Sequence, residues 1–180
     1  MKNKTVRNTI LKITYSAFCL ALAMVLPFLT MQIPQIGKML GPMHIAIILC
    51  GFLCGAPYGA IVGFVAPLLR SVCFGMPIMF PDAVGMAFEL CAYGLLTGLF
   101  YKIFPKKIPY IYLSLILSML GGRAVWGVAR YIISGFASTE FSFSMFLAGA
   151  FTKSIPGIIL HIVLVPVIII ALRKHIRQIH

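Results

Sequence analysis

Apolar runs of about twenty residues fill the chain, separated by short polar or Gly/Pro-rich breaks. A helix rises about 1.5 Å per residue, so about 20 apolar residues cross the roughly 30 Å hydrocarbon layer of a bilayer. The runs predict six helices, over about residues 8–29, 43–56, 58–74, 82–103, 110–133 and 145–172. No period-two alternation of the kind that builds a transmembrane barrel is present. The expected fold is an all-α integral membrane bundle of six transmembrane helices, a single membrane domain over 1–180.

The breaks carry their own signals. Thr30 to Pro42 is a loop with four Pro or Gly positions, yet Met31, Ile33, Ile36, Met39 and Leu40 make it too apolar for a solvated linker. It reads as a segment lying over the bundle as a lid. Gly55-Ala56-Pro57-Tyr58-Gly59 predicts a tight turn between the second and third helices. Glycines at 51, 55, 59 and 63 recur every four residues around it, a spacing that allows close helix contact. Phe74 to Pro81 and Ser134 to Ser144 predict irregular loops. Pro156 and Pro166 predict kinks in the sixth helix. Ala17 and Ala21 lie one turn apart on the first helix, and from the residues alone this small-xxx-small pair reads as ordinary packing.

Composition agrees with a membrane protein: 61% of the 180 residues are apolar and 10% charged, against about 25% charged in soluble domains. The formal charge of +12 would suit a nucleic-acid partner, but its placement excludes that reading. Ten of the fifteen Lys and Arg are Lys2, Lys4, Arg7, Lys12, Lys102, Lys106, Lys107, Arg173, Lys174 and Arg177. All flank predicted helix ends on one side, the positive-inside pattern, which puts both termini in the cytoplasm. The basic start resembles a signal peptide, but the apolar run from Ile13 to Met31 is full length and lacks a convincing cleavage site, so the first helix is expected to be retained. Of Cys19, Cys50, Cys54, Cys73 and Cys91, four fall in apolar runs and read as buried small hydrophobes. No metal is expected, because no third ligand stands at a suitable spacing. No cofactor is expected either, since nucleotide-binding and hydrolase motifs are absent, and an enzyme is not the favoured class.

The charges left over are Lys38, Arg70, Asp82, Glu89, Arg123, Arg130, Glu140 and Lys153. All map to the outer half of the predicted bundle. A guanidinium at mid-membrane costs at least about 2.5–3.5 kcal/mol, and Arg123 lies inside the apolar run 110–133. Arg123, Trp126, Gly127 and Arg130 share one face of that helix; Asp82, Glu89 and Tyr93 share one face of the fourth. Arg123, Glu89 and Lys153 therefore reach similar depths and frame a candidate substrate site. Tyr93 and Trp126 offer aromatic surface, while each alone also reads as packing. Glu89 with Arg123 reads equally as a structural ion pair. His44 and His161 read as satisfied helix histidines, with His44 kept as a candidate ligand contact. Cations outnumber acids five to three in this group, which points to an anionic or carbonyl-rich ligand. With no nucleotide site and no inverted repeat of broken helices, such a chain either passes solute passively or takes energy from partners.

Six short helices, Ala17-x-x-x-Ala21, the run Gly41-Pro42-Met43-His44-Ile45 through Gly51-Phe52-Leu53-Cys54-Gly55-Ala56-Pro57-Tyr58-Gly59, Ala66-Pro67-Leu68-Leu69-Arg70-Ser71 and the Phe80-Pro81 step resemble the S components of energy-coupling factor (ECF) transporters. The likeness spans essentially the whole chain. It implies a high-affinity substrate-binding subunit of an ABC-type importer in a prokaryotic plasma membrane. The implied partners are a small water-soluble vitamin or precursor (pantothenate, niacin or pyridoxine class), membrane lipid, a membrane T component and two ATPases. It also implies an outward-facing ligand site, placing Arg70, Asp82, Glu89, Tyr93, Arg123, Trp126, Arg130, Lys153 and His44 near substrate, and a docking role for Ala17 and Ala21 against the T component. The alternatives are a stand-alone carrier or channel for a small anionic solute and, less favoured, a membrane enzyme using Glu89, His44 or His161.

Overall fold

A computed structural model describes residues 2–30, 33, 39–136, 142–150 and 154–172. All regular structure among them is helical. α1 (Lys2–Val25) gives way at Leu26–Thr30 to a tighter 3-10 turn, with Pro27 inside it. α2 (Pro42–Cys54) and α3 (Ala56–Phe74) are separated by Gly55 alone. A short turn, Met79–Ala83, leads into α4 (Val84–Ile103). α5 (Ile108–Phe136), α6 (Phe143–Ala150) and α7 (Ile155–Ala171) complete the set.

Among the described residues, four stretches are long and apolar enough to cross a membrane: Val6–Thr30, Ala56–Phe74, Met79–Ile103 and Ile108–Gly135. α2 and α7 are shorter apolar helices. All thirteen residues of α2 are buried, which is where an all-round apolar helix belongs. It is the central rod, with α1, α3, α4 and α7 packed against it. Ile47, Ile48 and Phe52 of this helix meet Leu90 and Tyr93 of α4, and Ile111 and Leu115 of α5, in one core. The outer surface carries exposed large apolar side chains, among them Ile61, Val72, Ile103, Val128 and Val163. That pattern suits contact with lipid rather than water.

Two differences from the sequence expectations have physical causes. The turn after α2 is one residue, because Gly55 adopts φ 95° and reverses the chain at once; Pro57 then falls in the first turn of α3, where a missing N–H costs nothing. The sixth predicted helix, over 145–172, is described as two helices, α6 and α7. Pro156 is no kink: it occupies the first turn of α7 behind Ser154, whose hydroxyl donates to the Gly149 carbonyl. Pro166 does lie inside α7, and Pro67 inside α3.

The glycine spacing acts as expected. A Cβ at Gly59 would lie 2.6 Å from the Gly94 carbonyl oxygen and 2.8 Å from the Gly51 Cα. At Gly63 it would overlap the Leu90 carbonyl, and at Gly98 the Ala56 amide. α3 and α4 thus touch backbone to backbone and run antiparallel. Cys19, Cys50 and Cys54 are buried as expected, with Cys91 half-buried and Cys73 exposed.

Candidate functional site

The close α3–α4 contact fixes which face of α4 turns toward α5. Asp82 and Glu89 stand seven residues apart, and so do Arg123 and Arg130. Seven residues are nearly two turns, so on antiparallel helices both acid–base pairs can form together. Both do. Glu89 Oε1 lies 2.9 Å from Arg123 Nη1, and Asp82 Oδ1 lies 2.9 Å from Arg130 Nη1. The first pair is deep, with the Glu89 side chain 2% exposed; the second is shallower, at 22% and 24%. Arg130 donates a well-aligned hydrogen bond to Asp82. Arg123 and Glu89 are in ionic contact, but the N–H direction misses the oxygen, so Glu89 Oε1 receives no aligned hydrogen bond.

Around Glu89 four helices converge. His44, in the first turn of α2, brings Nε2 within 3.5 Å of Glu89 Oε1. Its ring meets the Tyr93 ring edge-on, centroids 5.4 Å apart, and lies nearly parallel to His161 of α7 at 5.9 Å. The Tyr93 phenol sits beside the Glu89 carboxylate, one turn along α4. Gly122 gives the Tyr93 ring its place on α5: a Cβ there would press on the ring at 3.1 Å. Gly41, with φ 55°, opens α2; its carbonyl accepts from the His44 backbone N–H at 2.9 Å and from His161 Nε2 at 3.2 Å. A carbonyl only accepts, so His161 carries its proton on Nε2. Both ring nitrogens of His44, Glu89 Oε1 and the Nε atoms of Arg123 and Arg130 are buried without a hydrogen-bond partner among the described residues. Such groups are rare in folded proteins.

The sequence candidates divide. His44, Glu89, Tyr93 and Arg123 come together; Asp82 and Arg130 form the shallower pair beside them. Trp126 stacks on Phe146 of α6, centroids 6.2 Å apart at 27°, and Gly149 lies under its ring. Arg70 goes elsewhere. It is buried, donates from Nη1 to the Met24 carbonyl at the end of α1, and sits over the Phe28 and Phe74 rings at 5.0 and 5.1 Å. Lys153, with Lys38 and Glu140, lies outside the described residues. Among the described residues of that charged group, Arg123 and Arg130 each face an acid. His161, read from the sequence as a satisfied helix histidine and weighed only for the enzyme alternative, stands beside this group. Only its depth in the last apolar run hinted at a role, and nothing in the sequence gave its register against His44. Among the described residues no group of three or more His, Cys, Asp or Glu is placed to hold a metal.

The fold and the cluster define an all-helical protein with several membrane-length helices and ionisable groups gathered between them. The family model described as "ECF transporter, substrate-specific component" matches residues 11–169. The chain belongs to that family of transporter subunits, which is not a family of enzymes. Membership implies a substrate and, in general, a T component and ATPase module as partners. No curated protein and no solved structure matches the chain.

Proposed function

We propose that this chain captures a small water-soluble vitamin or vitamin precursor, of the pantothenate, niacin or pyridoxine class, and delivers it to an ECF module whose ATPases drive uptake. The observation that carries this reading is the convergence of His44, Glu89, Arg123 and His161 from four helices, with hydrogen-bonding atoms left open inside an apolar bundle. Burying such groups without partners costs about 1–3 kcal/mol each, more for charged ones. A polar ligand recovers that cost. Tyr93 borders the same place, and Asp82, Arg130 and Trp126 form its rim. In this reading the bundle crosses a prokaryotic plasma membrane six times, with both termini cytoplasmic and the site open to the outside.

Ala17 and Ala21 are the proposed contact for the T component. Both are exposed on α1, whose opposite face buries Ser16, Cys19 and Ala23. The test has two parts. Purified protein is expected to bind a member of a vitamin panel by calorimetry, and proteoliposomes are expected to accumulate that compound only with T component, ATPases and ATP present. Accumulation by the chain alone, driven by a proton or sodium gradient, supports a stand-alone carrier and overturns the proposal.

A further inference from the structure

We propose that the connection between α3 and α4, residues 74–80, is a membrane anchor that inserts among the lipid chains of the bilayer leaflet at that end of the bundle; this rests on the reading of the bundle as membrane-spanning. No charged residue stands between Arg70 and Asp82. Met76, Ile78, Met79 and Phe80 are all exposed, Ile78 at 66% and Phe80 at 51%. Apolar side chains exposed side by side mark a surface that meets a partner or a membrane. The connection at the far end of α4 is of the opposite kind: Lys102, Lys106 and Lys107 cluster there, all exposed.

Position, continuity and backbone chemistry each favour lipid as the cover. The membrane-length stretch Ala56–Phe74 ends where the connection begins, and Met79–Ile103 starts just beyond it. Only residues 75–78 separate the two, which holds them at the bilayer surface. Ile61, Val65 and Val72 are exposed along one face of α3, and that apolar face leads straight into the connection. The end of α1 meets the same corner. Arg70 donates to the Met24 carbonyl and lies over the Phe28 and Phe74 rings, which meet edge-on at 5.1 Å; Leu29 is exposed beside them. Lipid chains cannot serve peptide groups. Gly75, at φ 68°, donates its N–H to the Ser71 carbonyl at 2.9 Å, and the Ile78 carbonyl accepts from the Ala83 N–H at 2.9 Å. The Met79 and Pro81 carbonyls accept from the Val84 N–H, while Pro77 and Pro81 bring no N–H. These groups are thus served without water. The connection runs directly into Asp82, so an anchored loop seats the rim of the proposed ligand site.

The test uses the full chain in liposomes of phosphatidylcholine and phosphatidylglycerol, with Cys73→Ser and Cys91→Ser. A nitroxide is attached at Met76→Cys or Ile78→Cys. Val128→Cys, on the exposed apolar side of α5, and Lys107→Cys serve as references. Spin relaxation reads collision with oxygen, which concentrates in lipid, and with a water-soluble nickel chelate. The oxygen-to-nickel ratio at 76 and 78 is expected to approach that at 128 and to exceed that at 107. Labels at 76 and 78 that favour nickel, with 128 still in lipid, place the connection in water and overturn the anchor while the membrane reading stands. Labels reached by neither collider are covered by protein, which overturns it equally. A label at 128 that favours nickel sinks the membrane-spanning reading and the anchor together.

Discussion

Arg123 and Glu89 hold each other in place between α4 and α5, and under the proposed reading they also meet the ligand. Removing one partner of a buried ion pair strands the other, which costs about 3–5 kcal/mol. Arg123→Ala is therefore expected to abolish ligand binding and also to lower the thermal midpoint in detergent, while the protein still inserts; unchanged affinity would refute the site. Gly41 makes a second prediction at this scale. Its φ of 55° is left-handed, and a Cβ there would lie 2.9 Å from His44 Nδ1. Gly41→Ala is expected to cost about 1–2 kcal/mol from the backbone alone and to push His44 off Glu89. Full stability with full binding affinity would show that this glycine is incidental. Much of this site was legible in advance. The matched spacing of Asp82 and Glu89 with Arg123 and Arg130 is visible in the sequence, because ionisable residues are costly in apolar helices and stand out. The His44–His161 pairing was not, since it depends on how α2 and α7 sit side by side, and local periodicity carries no information on that.

Helix packing sets where those residues end up. α3 and α4 approach so closely at Gly59, Gly63, Gly94 and Gly98 that any side chain there must push the helices apart. Gly94→Ala is expected to be strongly destabilising, because its Cβ would overlap the Gly59 carbonyl and the register of Glu89 against α5 depends on the same helix. Gly135→Ala is the control: nothing lies within 4 Å of the added carbon, and exchanging Gly for Ala in a helix gains about 0.5–1 kcal/mol. Equal thermal shifts for the two would refute the close-packing account. The glycine spacing made this contact legible from the residues. Arg70 was harder. Its place in the sequence put it among the site residues, but a long side chain reaches several ångströms from its own helix, and this one turns to the carbonyl end of α1. There a guanidinium satisfies the Met24 carbonyl and faces the negative end of the helix dipole. Arg70→Ala is expected to cost about 2 kcal/mol or more, from lost ring contacts and an orphaned carbonyl, with ligand affinity unchanged. A matching fall in affinity would return Arg70 to the ligand site.

At the scale of the whole molecule, the bundle has two separate faces to offer. The polar cluster lies toward the end where α2 and α4 begin, while α1 shows Ala17 and Ala21 on its outer side, away from α2. Exposed Ile10, Ile13, Phe18 and Val25 surround the two alanines, so the stripe is a shallow furrow between larger side chains. Such a furrow admits another helix at close range. A furrow this narrow is also easily filled. Ala17→Trp or Ala21→Trp is expected to block co-purification with a T component and its ATPases and to stop ATP-dependent uptake. Neither alanine touches the buried cluster, so ligand affinity measured by calorimetry stays at the wild-type value. The two readouts separate the possible failures. Loss of both assembly and affinity would mean the substitution disturbs the bundle itself. Assembly that survives both substitutions would place the docking face on another helix, with the ligand site untouched.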